Sequence, residues 1–223
     1  MRLDAAGGQI QGARSRQEDY WATEAVIGGQ LVVVADGLGG HPAGNVASRE
    51  AVTRMLKLLR EDLDPYRASA EALLYSAVRI VHRQLQEMQL RDPELHGMAT
   101  TLIAVFSADD RSAFVNVGDS LFWRLRNGEL TQLNTRHTQD GGVTSCVGFR
   151  LAELEAEPLE IETGDRFLIS SDGILSLKED TIAELLGSAF DPLTAVDALL
   201  TAVEMVAHPH QDNCTVAVLF APE

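Results

Sequence analysis

The stretch Thr101–Leu133, TLIAVFSADDRSAFVNVGDSLFWRLRNGELTQL, carries the plainest architectural information in the chain. Apolar and β-branched runs fall at Thr101–Phe106, Ala113–Val117 and Leu121–Leu125, each of strand length and bounded by polar or glycine punctuation. Asn127-Gly128 then separates Leu121–Leu125 from Glu129–Leu133. That dipeptide is a two-residue hairpin signal, because a type I′ turn needs positive φ at both central positions and Asn and Gly reach it most cheaply. Outward from this block the pattern changes. On the N-terminal side, Val52, Met55, Leu56 and Leu59 recur at i, i+3, i+4, i+7 within 43–60, and Leu74, Ala77, Val78 and Val81 repeat the spacing. Two amphipathic helices are expected there, joined around Asp64-Pro65. Further upstream, Gln30–Ala35 is a nearly continuous apolar run that reads as a buried strand ending at Asp36. On the C-terminal side, 135–148 reads as loop and Arg166–Ile169 as strand. Thr181–Leu186 reads as a helix stopping at Gly187, Val196, Leu199, Leu200 and Val203 mark a longer helix, and Cys214–Phe220 is a closing strand. Strands and helices come in blocks rather than in alternation, which predicts an α+β domain with antiparallel sheet. There is no internal repeat.

Composition narrows the function classes. With 223 residues, 45% of them hydrophobic, and seven prolines, the chain can bury one substantial core, so a single domain over 1–223 is expected. The net charge of −15 argues against nucleic acid and anionic lipid as partners, since phosphate backbones attract clustered Lys and Arg. A site that handles phosphate on such a surface must carry its own local positive charge. Cys146 and Cys214 form no CxxC or zinc spacing and no disulfide framework, which suits a reducing cytoplasm. The first residues lack an apolar signal core and no run of about 18 apolar residues occurs, so neither secretion nor membrane spanning is expected.

Acidic signatures recur at wide intervals: Glu18-Asp19, Asp36-Gly37, Gly118-Asp119-Ser120, Ser171-Asp172-Gly173 and Asp212-Asn213. Asp-Gly pairs are ordinary turn formers, since Asp bonds its own backbone and Gly accepts positive φ. Asp36 and Asp172, however, each follow a run of four or more mostly apolar residues, so each carboxylate projects from the edge of a core. Burying such edges without a cation is costly. Carboxylate and carbonyl oxygens are the ligands of Mg²⁺ and Mn²⁺, and no HExxH or thiolate cluster offers a zinc site.

Read in order, GARSRQEDYW, VVVADGLGGHPAGNVAS, MATTLIAVF, VNVGDSLFWRLRNGELTQL, GDRFLISSDGILS and QDNCTVAVLF resemble the successive motifs of the metal-dependent protein phosphatases of type 2C, the PPM family, and its compact bacterial members in particular. The resemblance spans about 7–220. It implies a four-layer α-β-β-α sandwich, two antiparallel sheets flanked by helix pairs, with a binuclear Mn²⁺ or Mg²⁺ centre that hydrolyses phosphoserine and phosphothreonine. On the matching residues, Asp36 would bridge two metals, the Gly37 carbonyl would bind the second, and Asp172 and Asp212 the first. Glu18 and Asp19 would orient metal-bound waters. Arg14 would grip the substrate phosphate, a task suited to the two-pronged guanidinium. Asp119 with Asp172 would form a weak third metal site, and Asn213 would support the Asp212 loop. The implied reaction is in-line attack on phosphorus by a water bridging the metals, with no phosphoenzyme. Neither cysteine is then a nucleophile, and Cys214 reads as core. The implied partners are phosphorylated proteins, with a Ser/Thr kinase or its targets among them, in a bacterial cytoplasm.

Several positions depart from the family pattern. Leu38 stands where many members have a histidine after Asp-Gly, and the nearby His41 reads as a loop residue without catalytic duty. Gln17 replaces an asparagine, Ala99 a glycine. QLNTRHT stands for the usual Leu-Thr-Arg-Asp-His-Ser, so Arg136 replaces an acid. Only Gln139-Asp140-Gly141-Gly142 separates His137-Thr138 from VTSCVG, where relatives insert a flap of a few dozen residues. An open site follows from that reading, and with it an alternative to turnover: a weak or inactive pseudophosphatase that binds phosphoproteins or a kinase.

Overall fold

A computed structural model describes residues 3–26, 28–38, 43–63, 68–109 and 111–222; His41 and the Asp64-Pro65 joint fall outside them. In chain order the strands are β1 (Asp4–Ile10), β2 (Asp19–Val26), β3 (Gly29–Asp36), β4 (Leu102–Ser107), β5 (Ser112–Val117), β6 (Leu121–Arg126), β7 (Glu129–Gln132), β8 (Thr138–Gln139), β9 (Gly142–Val143), β10 (Glu155–Pro158), β11 (Arg166–Ser170) and β12 (Cys214–Phe220). The helices are α1 (Gly44–Lys57), α2 (Ala70–Arg91), α3 (Glu179–Ser188) and α4 (Pro192–Val206). Two five-stranded sheets form, ordered β1-β12-β11-β6-β7 and β10-β5-β4-β3-β2, and every pairing in them is antiparallel.

The alternation along β3 shows why this is a four-layer sandwich. Leu31, Val33 and Ala35 pack with Ala51, Val52 and Met55 of α1 and Leu74, Val78 and Val81 of α2. Val32 and Val34 point the other way, into the layer between the sheets, where they meet Ile103, Val105, Phe122, Phe167 and Leu219. Both faces of an antiparallel strand are thus buried, which is why 31–35 is continuously apolar instead of alternating. Phe122 anchors the middle layer, its ring 5.1 Å from Phe114 and 5.9 Å from Phe167. On the far side, α3 and α4 cover the second sheet through Ile182, Leu186, Val196, Leu199 and Val203. Each fully buried side chain of this size contributes roughly 2–3 kcal/mol through the apolar surface it removes from water.

Local signals mark the element ends. Asn127 and Gly128 have φ of 52° and 82°, as the β6–β7 hairpin requires. Ser69 caps α2 by accepting from the Ala72 amide, and Asp191 caps α4 by accepting from the Thr194 amide at 2.7 Å, with Pro192 at the first helical position. Three strands carry no signal that the periodicity reading registers: β1, β2 and β10. The loop reading of 135–148 is also refined, since β8 and β9 form a small hairpin inside it.

Candidate functional site

Register brings the acidic signatures to one end of the sandwich. Ile10 of β1 pairs with Cys214 of β12, Ser170 of β11 pairs with Leu121 of β6, and Asp19 of β2 pairs with Asp36 of β3. Asp212, Asp172, Asp119, Glu18, Asp19 and Asp36 therefore sit on or just beyond strand ends that face the same way. Asp172 opens the short 3₁₀ turn Asp172–Ser176 directly after β11.

Backbone latches hold the loops that carry these side chains. The Asp36 carbonyl accepts from the Thr101 amide and the Thr100 hydroxyl, both at 2.8 Å, while its amide donates to Thr101 Oγ1 at 3.0 Å. Glu18 is fixed by its neighbours: its amide donates to Asn213 Oδ1 at 2.9 Å and its carbonyl accepts from Ser48 Oγ of α1 and from the Gly37 amide. The Asn213 side-chain amide also donates to the carbonyls of Gln11 and Arg16 at 2.7 and 3.0 Å. One asparagine thus ties the 11–18 segment to the Asp212 loop. Asn213→Ala is expected to cost roughly 2–4 kcal/mol, because three backbone groups lose their partner at once; urea denaturation reads it.

Glycine serves close approach here rather than turn geometry. Neither Gly37 nor Gly173 has positive φ. A Cβ on Gly37 would lie 2.3 Å from the Gly44 carbonyl oxygen, and one on Gly173 would lie 2.1 Å from that of Asn213. The two Asp-Gly pairs therefore press the Asp36 loop onto the start of α1 and the Asp172 turn onto the Asp212 loop.

The electrostatics are those of crowded carboxylates. Asp19 is 4% exposed; its Oδ2 accepts from Ser171 Oγ at 2.7 Å, while its Oδ1 is buried without a donor. Burial, then the neighbouring charges of Asp19 and Asp172, hold the Asp36 carboxyl well above the usual carboxylate range. Asp172 is pushed up to about 6 by burial first, then by Asp119 and Asp212. Asp119 is raised by burial, an effect opposed by Arg136. At the rim, Arg14 donates to Asp212 Oδ2 at 2.5 Å. A cleft of ≈ 240 Å³ opens beside these groups, lined by Asp172, Asp212, Gln211, His208 and His210 among others. His210 also lines the adjoining hollow that contains Arg14.

The carboxylates of Glu18, Asp19, Asp36, Asp119, Asp172 and Asp212 are all hard oxygen donors, and a divalent cation would relieve both their mutual repulsion and the donorless Asp19 Oδ1. The donor set therefore fits Mn²⁺ or Mg²⁺. Among the described residues no three of His, Cys, Asp and Glu already stand in ligand geometry, and Arg14 occupies one oxygen of Asp212. The thiols fit no such role: Cys146 and Cys214 are buried and unpaired, and burial raises the pKa of both. Motif reading brought the acidic residues and Arg14 to notice, but it assigned nothing to Thr100, Thr101, Ser171, His208 or His210. The first three act through neighbours distant in sequence, and the two histidines belong to none of the acidic motifs.

Comparison with known proteins gives the family. Residues 7–206 match the family model for protein phosphatase 2C. The serine/threonine protein phosphatase PstP of Mycobacterium tuberculosis is 34% identical over 194 residues, covering 78% of this chain and 36% of PstP. The chain thus spans about a third of that relative's length. The serine/threonine phosphatase stp of Listeria monocytogenes is 27% identical over 212 residues, 85% of this chain and 83% of stp. The crystal structure of the M. tuberculosis phosphatase PstP/Ppp superposes with a TM-score of 0.87 at 28% identity, covering 100% of both chains. The PstP catalytic domain in complex with two manganese ions gives 0.85 at 29% identity, covering 99% of both. Motif order, sandwich topology and the gathered carboxylates lead to one conclusion: this chain belongs to the protein phosphatase 2C family.

Proposed function

We propose that this chain is a metal-dependent protein serine/threonine phosphatase. The observation that carries the reading is the convergence of Asp36, Asp172 and Asp212, with Glu18 and Asp19 behind them and Arg14 at the rim, from segments as far apart as 14 and 212. Asp36, the Gly37 carbonyl, Asp172 and Asp212 would hold two Mn²⁺ or Mg²⁺ ions, as two manganese ions are held in the PstP catalytic domain. When bound, such ions supply the charge that acidifies a water and neutralises the phosphoryl oxygens. The chain's own residues do the rest. Glu18 and Asp19 accept hydrogen bonds from water and so orient it along the line of attack. Arg14 lies on the same side as Asp212 and pairs with it, and its guanidinium would be free to grip the phosphate once Asp212 holds a cation. Both thiols are buried and held protonated, so neither cysteine serves as nucleophile in this reading, which takes attack by water without a phosphoenzyme.

The substrates proposed are phosphoserine and phosphothreonine proteins, with a Ser/Thr kinase as the opposing enzyme, in the cytoplasm. Among the described residues no helix is long and apolar enough to cross a membrane. Hydrolysis of a phosphothreonine peptide is expected to require Mn²⁺ and to be lost in Asp172→Asn. Turnover by that variant at saturating Mn²⁺ would refute the metal assignment. Arg14→Ala is expected to raise KM for the peptide about 10–100-fold with a smaller change in kcat, the worth of one charge-assisted bond to phosphate. An unchanged KM removes Arg14 from the phosphate site.

A further inference from the structure

The β5–β6 loop holds an arginine where the family resemblance implies room for a further cation. Asp119, 15% exposed at its side chain, faces Arg136: Nε donates to the Asp119 carbonyl at 2.8 Å, and Nη2 lies 3.8 Å from Asp119 Oδ2. The placement is anchored on both sides. His137 Nδ1 accepts from the Gly118 amide at 3.1 Å, the His137 amide donates to the Gly118 carbonyl at 2.8 Å, and Asn116 Nδ2 donates to the Thr135 carbonyl at 2.7 Å. Arg136 therefore sits between two tied positions, with its guanidinium directed at the loop that presents Asp119.

We propose that Arg136 is a built-in cation for Asp119, so that the centre holds two divalent ions and admits no third on the Asp119 side. The inference rests on the metal-centre reading above and concerns the pair of carboxylates, Asp119 and Asp172, to which the family resemblance gives a weak third ion. The reason is Coulombic. A divalent ion bound by Asp119 would stand within a few ångströms of a fixed positive charge, in a partly buried place where solvent screens poorly. Asp119 would also have to exchange an arginine partner that cannot lose its proton for the incoming ion. An acid at position 136 would do the reverse and add a ligand.

Equilibrium Mn²⁺ stoichiometry, measured by calorimetry and by native mass spectrometry on the intact chain, tests this without reference to turnover. Wild type is expected to bind two Mn²⁺. Arg136→Asp is expected to bind three, the third roughly tenfold or more weaker than the others, and to return to two when Asp119→Asn is added. Arg136→Gln, which keeps the size and polarity without the charge, serves if the acidic variant does not fold, and is also expected to gain the third ion. Three Mn²⁺ on wild type, one of them lost in Asp119→Asn, overturns the proposal. So does a count of two in both Arg136 variants. Fewer than two on wild type overturns the metal-centre reading itself, a separate and recognisable failure.

Discussion

Asp36→Asn is expected to abolish metal-dependent hydrolysis, by about 10³-fold or more, and at the same time to stabilise the metal-free chain at neutral pH. The two effects share one cause. Asp36 lies opposite Asp19 in the β2–β3 register, next to Asp172, and its carboxyl is held well above the ordinary range by burial and by those charges. A carboxyl raised in the folded state favours the fold while protonated, and that advantage drains away as pH climbs from the unfolded value near 4 through the folded one. Asp172 behaves in the same way with a folded value of about 6, so its share of the loss at pH 7 is roughly 3 kcal/mol. The metal-free protein should therefore lose stability from about pH 4 upward, past pH 6, and Asn at position 36 removes one of the charges responsible.

Melting in EDTA at pH 4.5 and 7.5 reads the linkage directly. Wild type should melt lower at pH 7.5 than Asp36→Asn by several degrees, given about 2–4 °C per kcal/mol for a chain of this size, and the gap should close at pH 4.5. Saturating Mn²⁺ should reverse the order at pH 7.5, because only the chain that keeps its carboxylate gains binding energy from the ion. An Asp36→Asn protein that melts lower than wild type at both pH values without metal would mean that Asp36 supports the fold through contacts rather than straining it through charge.

Gly173→Ala is expected to be the most damaging glycine-to-alanine change among the described glycines, since its Cβ would make the shortest contact with fixed backbone. The added carbon would meet the Asn213 carbonyl oxygen at 2.1 Å, its carbon at 2.9 Å and the Cys214 Cα at 3.0 Å, all backbone atoms that no rotamer change can move. The Asp172 turn and the Asp212 loop would have to separate, and the bond from Gln211 Nε2 to the Gly173 carbonyl, 2.9 Å, would stretch or break. Loss of roughly 3 kcal/mol or more is expected, together with loss of Mn²⁺ uptake, since the two carboxylates proposed to share an ion would be pushed apart. Gly164→Ala is the control. That glycine has φ of 81° with nothing near its missing Cβ, so only backbone strain is charged, about 1 kcal/mol. A loss at Gly173 no larger than the one at Gly164 would show that the turn and the loop part at little cost, and that close approach does not explain Gly173.

The blocks of strand and helix were legible in sequence because their signals are local. Val32 to Ala35, Phe122 and the 3.6-residue spacing in 52–59 report burial on the element's own faces, and Asn127-Gly128 reports its own turn. β1 was not legible for an equally physical reason. Gly7 and Gly8 weaken any strand pattern, yet they are small because the Trp21 ring and the side chains of Val196 and Leu200 lie where a Cβ would stand, and the strand forms by pairing with β12 at the opposite end of the chain. β2 and β10 likewise carry partly exposed or mixed faces, with no clean period.

By itself, then, the sequence determined the kinds of element, their order, the antiparallel class and, through motif order, which acidic residues to look for. Tertiary structure alone decided which of those residues share a neighbourhood. The Ser171–Asp19 bond, the Thr101 latch on Asp36, the Asn213 staple and the Arg136–Asp119 pair join positions separated by 152, 65, 195 and 17 residues. Such pairings depend on strand register and on how two sheets are stacked. No residue type signals them in advance, because each is made by a partner that only the folded chain brings near.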